Sequence, residues 1–243
     1  TSNVLAGKLY DIPVSGTHSH SWVMSFDSEL EAFRAYAKCF PTNCVLLVDT
    51  YNVKKGIENA ITVGLEMRER GEKLAGIRID SGDLAWLSRY ARERLDAAGL
   101  TDCGIVLSND LDEYTIESIR EQGANVMSWG VGTAYDKPAL GGVYKLSATK
   151  SQGDSKWKAR LKVTEMSSKL TLPGVLDVRR FFFEDGRIAG DMVFDVNEPV
   201  NAEDKIIDPS DLLRQKSLAG LASETLLRPL PRDGKSVLAA EAR

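Results

Sequence analysis

Short apolar runs and amphipathic stretches alternate along the first 150 residues. Runs at 12–15, 44–49, 75–80, 104–108 and 125–129 are largely apolar with little alternation, the pattern of strands covered on both faces. Helix patterns lie between them. Ser28-Glu29-Leu30-Glu31 reads as a capping box, followed by Leu30, Phe33, Ala37 and Phe40 on one face. Ile57, Ala60, Ile61, Gly64 and Leu65 form the next stripe, ended by Gly71. Leu84, Leu87, Ala91 and Leu95 form a third, with Gly99 at the C-cap, and Leu111, Ile116 and Ile119 a fourth, ended by Gly123. This alternation predicts right-handed βαβ crossovers and a parallel sheet. Five strands fall short of the about eight of a closed barrel, so the α/β region is a doubly wound sheet or part of a barrel.

Beyond residue 140 the pattern changes. Runs at 142–146, 158–164 and 178–183 alternate like antiparallel strands, and Glu184-Asp185-Gly186-Arg187 is a hairpin signal. The predicted organisation is an α/β region over 1–140, a smaller antiparallel β-rich segment over 141–200 and a polar tail over 201–243.

Composition narrows the function classes. The 31 Lys and Arg against 35 Asp and Glu give a net charge of −4, which argues against nucleic-acid and membrane-surface partners. Cys39, Cys44 and Cys103 are unclustered and odd in number, and predict reduced thiols in a cytoplasmic protein. No apolar run is long enough for a membrane span and no signal peptide opens the chain. The start at Thr1-Ser2-Asn3, without methionine, fits a processed product or part of a longer polypeptide.

Every strand of the α/β region ends in polar residues: Gly16-Thr17-His18-Ser19-His20-Ser21, Asp49-Thr50-Tyr51-Asn52, Arg78-Ile79-Asp80-Ser81-Gly82-Asp83, Ser108-Asn109-Asp110 and Gly130-Val131-Gly132-Thr133. In parallel α/β folds such ends converge on one face. Asp49, Asp83 and Asp112 read more simply as helix caps or loop structure. Arg78 and Asp80 resist that reading, because a cation and an anion facing one way at a strand end need a partner. Gly130-Val131-Gly132-Thr133 offers exposed amides and a hydroxyl to a phosphate. Both histidines of the chain lie in one motif, and on an extended strand they would face the same side. A metal site would need further imidazoles, which the chain lacks; a hydrogen-bonded loop pair and nucleophilic catalysis are the other readings.

Together with Thr1-Ser2-Asn3-Val4-Leu5-Ala6-Gly7, Gly142-Val143-Tyr144-Lys145-Leu146 and Lys169-Leu170-Thr171-Leu172-Pro173-Gly174, these motifs closely resemble the nicotinate phosphoribosyltransferase family from residue 1 to about 195. One departure is Leu176, where the family pattern suggests a basic residue. The resemblance implies an irregular parallel α/β barrel of the type II phosphoribosyltransferase kind. It covers only the C-terminal half, so a missing N-terminal half or a second chain would complete the barrel and the site. It further implies transfer of phosphoribose from phosphoribosyl pyrophosphate to nicotinate. ATP hydrolysis would be coupled through a phosphohistidine at His20, with Mg²⁺ accompanying the substrates and no permanently bound cofactor or metal site. By the same resemblance Asp80 and Asp110 would hold the ribose hydroxyls, Arg78 the pyridine or its carboxylate, and Gly130, Gly132 and Thr133 the 5′-phosphate. Thr17, Ser108 and Asn109 join the substrate-binding set, and the active unit would be a homodimer. The alternatives are a nicotinamide-using relative, or a catalytically incomplete half that serves as a binding or assembly module.

Overall fold

The computed structural model describes residues 1–132, 134, 145–161, 172–198, 200–208, 211–228, 231–232 and 235–236. The chain divides into two compact units, Thr1–Leu146 with Leu161–Thr171, and Ser147–Arg160 with Leu172–Arg243.

The first unit opens with three helices, α1 (Val4–Tyr10), α2 (His20–Met24) and α3 (Glu29–Cys39). Strand β1 (Cys44–Leu47) then begins a regular alternation: α4 (Val53–Glu69), β2 (Leu74–Ile79), α5 (Leu84–Ala97), β3 (Gly104–Ser108), α6 (Glu113–Glu121) and β4 (Ser128–Gly130). The four strands form one parallel sheet in the order β1-β2-β3-β4. The starts of α3 to α6 are each fixed by a side chain that accepts an otherwise unpaired amide. Ser28 takes the Glu31 N–H (3.2 Å), Asn52 that of Lys55 (3.0 Å), Asp83 that of Trp86 (3.0 Å) and Asp112 that of Thr115 (2.8 Å). Behind the caps the apolar stripes pack on the sheet. Phe33, Ile57, Met67, Leu95 and Leu111 lie with Leu46, Ile77, Ile79, Ile105 and Leu107 in one fully buried core.

Two expectations change here. The run at 12–15 forms no strand. It is exposed, its Pro13 has no amide to give, and its polar groups are bound to the chain start: Ser15 N–H donates to the Thr1 carbonyl (3.0 Å) and the amino terminus to that of Pro13 (2.9 Å). The described sheet therefore has four parallel strands rather than five. Phe40, placed on the α3 stripe by its spacing, lies past the helix end and is exposed. The carboxylate-bearing Glu29 is buried at the other end of that helix.

The second unit is antiparallel. β7 (Leu176–Phe182) and β8 (Ile188–Asp195) close the expected hairpin, where the Phe183 N–H reaches the Arg187 carbonyl (2.9 Å). β11 (Ala222–Thr225) pairs on the far side of β7. Two short pairs join β5 (Ala148–Thr149) to β6 (Lys158–Ala159), and β9 (Lys205–Asp208) to β10 (Asp211–Ser217). The segment read as a polar tail thus carries strands. Among the described residues the core of this unit is Phe181, Ala189 and Leu218, with Met192, Val200, Ile206 and Leu221 against them. Of the runs expected at 142–146 and 158–164, residues 142–144 and 162–164 lie outside the described residues.

Candidate active site

The register of the parallel sheet assembles the site. Leu47 pairs with Arg78, Arg78 with Val106, and Ser108 with Gly130. Two residues further along, Asp49, Asp80 and Ser108 fall in one row at the C-terminal end of the sheet, with Gly130 next to Ser108. Adjacent parallel strands place residues at equal depth on the same side of the pleat. The convergence expected from the strand ends is therefore built by register.

Arg78 and Asp80 form its centre. The Arg78 guanidinium donates from Nε to Ser108 Oγ (2.8 Å), from Nη1 to Thr17 Oγ1 (3.0 Å) and from Nη2 to Asp80 Oδ1 (3.2 Å). Those contacts use three of its five N–H donors. Ser108 Oγ donates in turn to Asp80 Oδ1. Burial pushes the Asp80 carboxyl up, but hydrogen bonds from His20 and Ser108 and the Arg78 charge outweigh it. They hold Asp80 well below the usual carboxylate range.

His20 begins α2 and faces this pair. Its Nε2 lies 3.6 Å from Asp80 Oδ2 and 3.9 Å from Asp49 Oδ1, and its Nδ1 3.1 Å from Thr50 Oγ1. Two carboxylates beside Nε2 favour a proton there, which leaves the lone pair on Nδ1 beside the Thr50 hydroxyl.

His18 does not share that face. With no strand at 12–15 and a helix starting at His20, the two imidazoles diverge. His18 is buried, its ring centre 4.7 Å from that of Tyr36 in an edge-on contact and 5.9 Å from that of Phe33. Its Nε2 accepts the Leu47 N–H (3.1 Å) and its Nδ1 donates to the Ser19 carbonyl (3.3 Å). Leu47 is on the outer strand of the sheet, so this imidazole satisfies an amide that a further strand would otherwise take. Burial lowers the pKa of His18 to about 4, so the ring is neutral.

Asp49 is the residue that sequence reading misassigned. It does not cap α4; Asn52 does. It is buried, and its Oδ2 accepts the Asp80 N–H (3.2 Å) and the Ser81 hydroxyl. Gly56 of α4 lies directly against the Val48 backbone, where no side chain would fit, and this contact seats the segment leading to Asp49. Asp49-Thr50 stands two residues past Leu47 as Asp80-Ser81 stands two past Arg78, the register partner of Leu47. That parallel in sequence is the signal that could have found it. Asp83 and Asp112 are caps, as read.

The remaining expected positions sit beside this cluster. Asn109 and Asp110 follow Ser108 with left-handed backbone, φ 102° and 46°. Asp110 is exposed, and Asn109 lines a cavity of about 490 Å³ with Gly82, Asp83, Tyr114, Thr115 and Gln122, between the start of α5 and one side of α6. That cavity includes neither His20 nor Asp80. A Cβ at Gly130 would meet the Cβ of Ser108 at 2.9 Å, whereas one at Gly132 would meet nothing among the described residues. Thr133 lies outside the described residues. The Cys44 and Cys103 thiols are buried and pushed up to about 12, so they are inert. No described helix is long and apolar enough to cross a membrane.

A sequence model of the Nicotinate phosphoribosyltransferase (NAPRTase) family matches residues 1–154. The nicotinate phosphoribosyltransferase of Bacillus subtilis is 45% identical over 212 residues, 85% of this chain and 42% of its own length. That of Homo sapiens is 33% identical over 258 residues, 82% of this chain and 47% of its own. The crystal structure of human nicotinic acid phosphoribosyltransferase superposes with a TM-score of 0.51 at 28% identity, covering 98% of this chain and 55% of that one. The chain spans less than half the length of these curated relatives.

Proposed function

The chain belongs to the nicotinate phosphoribosyltransferase family, and we propose that it carries the catalytic strand ends of an enzyme that makes nicotinate mononucleotide and pyrophosphate from nicotinate and phosphoribosyl pyrophosphate, with ATP hydrolysis coupled through His20. The observation that carries this reading is the placement of His20 Nε2 between Asp80 and Asp49, 3.6 and 3.9 Å away. A histidine so oriented keeps a lone pair on Nδ1. In the coupled step that nitrogen bonds the γ-phosphorus of ATP as the bond to the ADP oxygen breaks, and water later hydrolyses the phosphohistidine. In the transfer step the pyridine nitrogen bonds the anomeric carbon as pyrophosphate leaves. Positive charge develops on the ribose ring, and Asp80, ionised at all working pH values, stabilises it. Mg²⁺ arrives on the pyrophosphate of the substrate. The two further N–H donors of Arg78 suit the nicotinate carboxylate, and Gly130, Gly132 and Thr133 the 5′-phosphate. Asp110 and Asn109 border the ribose.

We infer that this chain works with polypeptide equivalent to the remaining length of its relatives, which closes the four-stranded sheet into a barrel and supplies further pyridine and pyrophosphate contacts. Val4, Leu5, Leu9 and Tyr10 of α1 are each more than 60% exposed, an apolar face that such polypeptide would cover. Cytoplasmic residence and a homodimer complete the proposal.

The test is direct. The purified chain is incubated with nicotinate, phosphoribosyl pyrophosphate, ATP and Mg²⁺, alone and with the N-terminal half of the Bacillus subtilis relative. Nicotinate mononucleotide and acid-labile label from γ-labelled ATP are measured. Product only in the reconstituted mixture, with label lost in His20→Ala and kept in His18→Asn, supports the reading. Turnover by the chain alone, or label that survives His20→Ala, overturns it.

A further inference from the structure

The resemblance places Thr17 in the substrate-binding set, but the hydrogen bonds of its hydroxyl give it another role. Arg78 Nη1 donates to Thr17 Oγ1 (3.0 Å). A guanidinium is a donor only, so the Thr17 oxygen accepts, and its single hydrogen goes to the His18 carbonyl, 2.9 Å away. A hydroxyl in that state has no hydrogen to give a carboxylate or a phosphate. It joins two parts of the protein instead: β2, which carries Arg78, and the loop at 16–21, which carries His20. The entry to α2 depends on such bonds. Ser19, at the cap position, makes no capping hydrogen bond from its side chain, and its hydroxyl meets that of Ser21 (2.6 Å). The preceding loop is held by the His18 ring, bound to the Leu47 N–H and the Ser19 carbonyl, and by the Thr17 hydroxyl. Two residues past the carbonyl that Thr17 holds, His20 Nε2 lies 3.6 Å from Asp80 Oδ2, and Asp80 Oδ1 accepts from Arg78 Nη2 (3.2 Å). These contacts close a ring: Thr17 to Arg78, Arg78 to Asp80, Asp80 to His20, and His20 back to Thr17 along the chain.

We infer that Thr17 is a positioning residue whose hydroxyl locks the Arg78 guanidinium and the His20 loop into one geometry. The group that grips the pyridine carboxylate and the group that takes the phosphoryl are then set together, an inference that rests on the roles proposed above for Arg78 and His20. Loss of the hydroxyl opens the ring at one point and releases both sides. The guanidinium keeps Ser108 and Asp80 but loses its third anchor, and the His18 carbonyl loses its donor. A direct substrate contact has a different signature: its loss weakens the substrate that it touches and leaves His20 as it was.

Thr17→Val keeps the shape without the hydroxyl, and Thr17→Ser keeps the hydroxyl. The substrate-free chain is labelled with ¹⁵N at arginine and histidine side chains and followed by NMR, with Arg78→Lys and His20→Ala identifying the two signals. Thr17→Val should displace both signals and speed rotation of the Arg78 guanidinium about its Nε–Cζ bond by about tenfold, the loss of one hydrogen bond to a charged group. Thr17→Ser should leave both as in the parent. In the mixture reconstituted with the N-terminal half of the Bacillus subtilis relative, Thr17→Val should slow labelling by γ-labelled ATP without nicotinate and raise the KM for nicotinate, each by about tenfold. A raised KM with unchanged labelling makes Thr17 a substrate contact and overturns the inference. An Arg78 signal that moves while that of His20 stays also overturns it, as does a Thr17→Ser variant displaced as far as Thr17→Val. If the parent mixture takes no label, the proposed ATP coupling has failed, and the two signals of the substrate-free chain decide the inference alone. Thr17→Ala takes the place of Thr17→Val if that variant does not fold.

Discussion

Two regions meet in the loop at 16–21 and use the same side chain in opposite ways. On the inner side, His18 is packed among Phe33 and Tyr36 and bound to a strand-edge amide. On the outer side, His20 faces two carboxylates and a hydroxyl. The inner imidazole is held neutral by burial and by a donor that demands an unprotonated Nε2. The outer one has Nε2 toward the carboxylates of Asp80 and Asp49 and Nδ1 toward the Thr50 hydroxyl. Surroundings, not residue type, separate the structural histidine from the chemical one.

The largest effects should come from the outer region. His20→Ala should abolish acid-labile phosphoenzyme and lower turnover of the reconstituted enzyme by about a thousandfold, within the range of lost nucleophilic or acid–base groups. Its thermal stability should stay near that of the parent, because no core contact is lost. Comparable label in this variant would end the distinction between the two histidines. Asp80→Asn removes charge while keeping shape. It should cost about a hundredfold in turnover, as loss of electrostatic stabilisation does elsewhere. The residual activity should be insensitive to Asp110→Asn if Asp110 only borders the ribose. A larger loss from Asp110→Asn than from Asp80→Asn would move the chemical centre away from His20.

Some of this geometry is legible in the chain and some is not. The strand–helix alternation is, because each stripe of Ile57, Ala60 and Ile61 or Leu84, Leu87 and Ala91 has one way to meet a doubly covered strand. The polar strand ends are too, since Arg78-Ile79-Asp80 projects two charged side chains one way. The fate of 12–15 is not: an apolar run near Pro13 has the composition of a strand, and only the pairing with Thr1 decides against it. Asp49 and Asp83 stand in the same local context, an aspartate just before a helix. Asp83 caps α5 and Asp49 is buried in the site, because the cap of α4 lies three residues after Asp49, at Asn52. Local sequence offers no measure of that offset. The strands beyond residue 205 escape notice because their alternation is weak and little of it is buried.

The inner region should govern stability. His18 has its folded pKa lowered from 6.5 to about 4. The unfolded chain therefore binds a proton at His18 between those values while the folded chain does not. Stability is full above about 6.5 and falls as pH drops through the window, by up to about 3 kcal/mol for a shift of this size. Glu29 acts in the opposite sense, since its carboxyl is raised from 4.5 to about 7 and the folded chain keeps its proton longer; stability then falls as pH rises through that window. His18→Asn should lower stability at pH 7.5 by about 2 kcal/mol and flatten the acid limb of denaturation measured between pH 4 and 6.5. An unchanged acid limb would show that His18 is solvated and free to titrate.

The smallest expected effects separate the two glycines at the end of the sheet. Gly130 and Gly132 look equivalent in sequence, both in Gly-Val-Gly-Thr. A methyl group on Gly130 would press on Ser108, which links Arg78 to Asp80. Gly130→Ala should therefore act from within, costing about 1 kcal/mol of stability and disturbing Arg78 and Asp80 even without ligand. That disturbance is read in the carboxyl resonance of Asp80. A Cβ at Gly132 meets no atom of the described residues, so Gly132→Val should fold with an unchanged Asp80 resonance. It should act only where a phosphate must approach the amides, weakening nicotinate mononucleotide binding by more than about tenfold, the loss of one charge-assisted hydrogen bond or more. If Gly132→Val binds the nucleotide as the parent does, the phosphate is held elsewhere, and the cavity lined by Asn109 and Tyr114 becomes the next place to look.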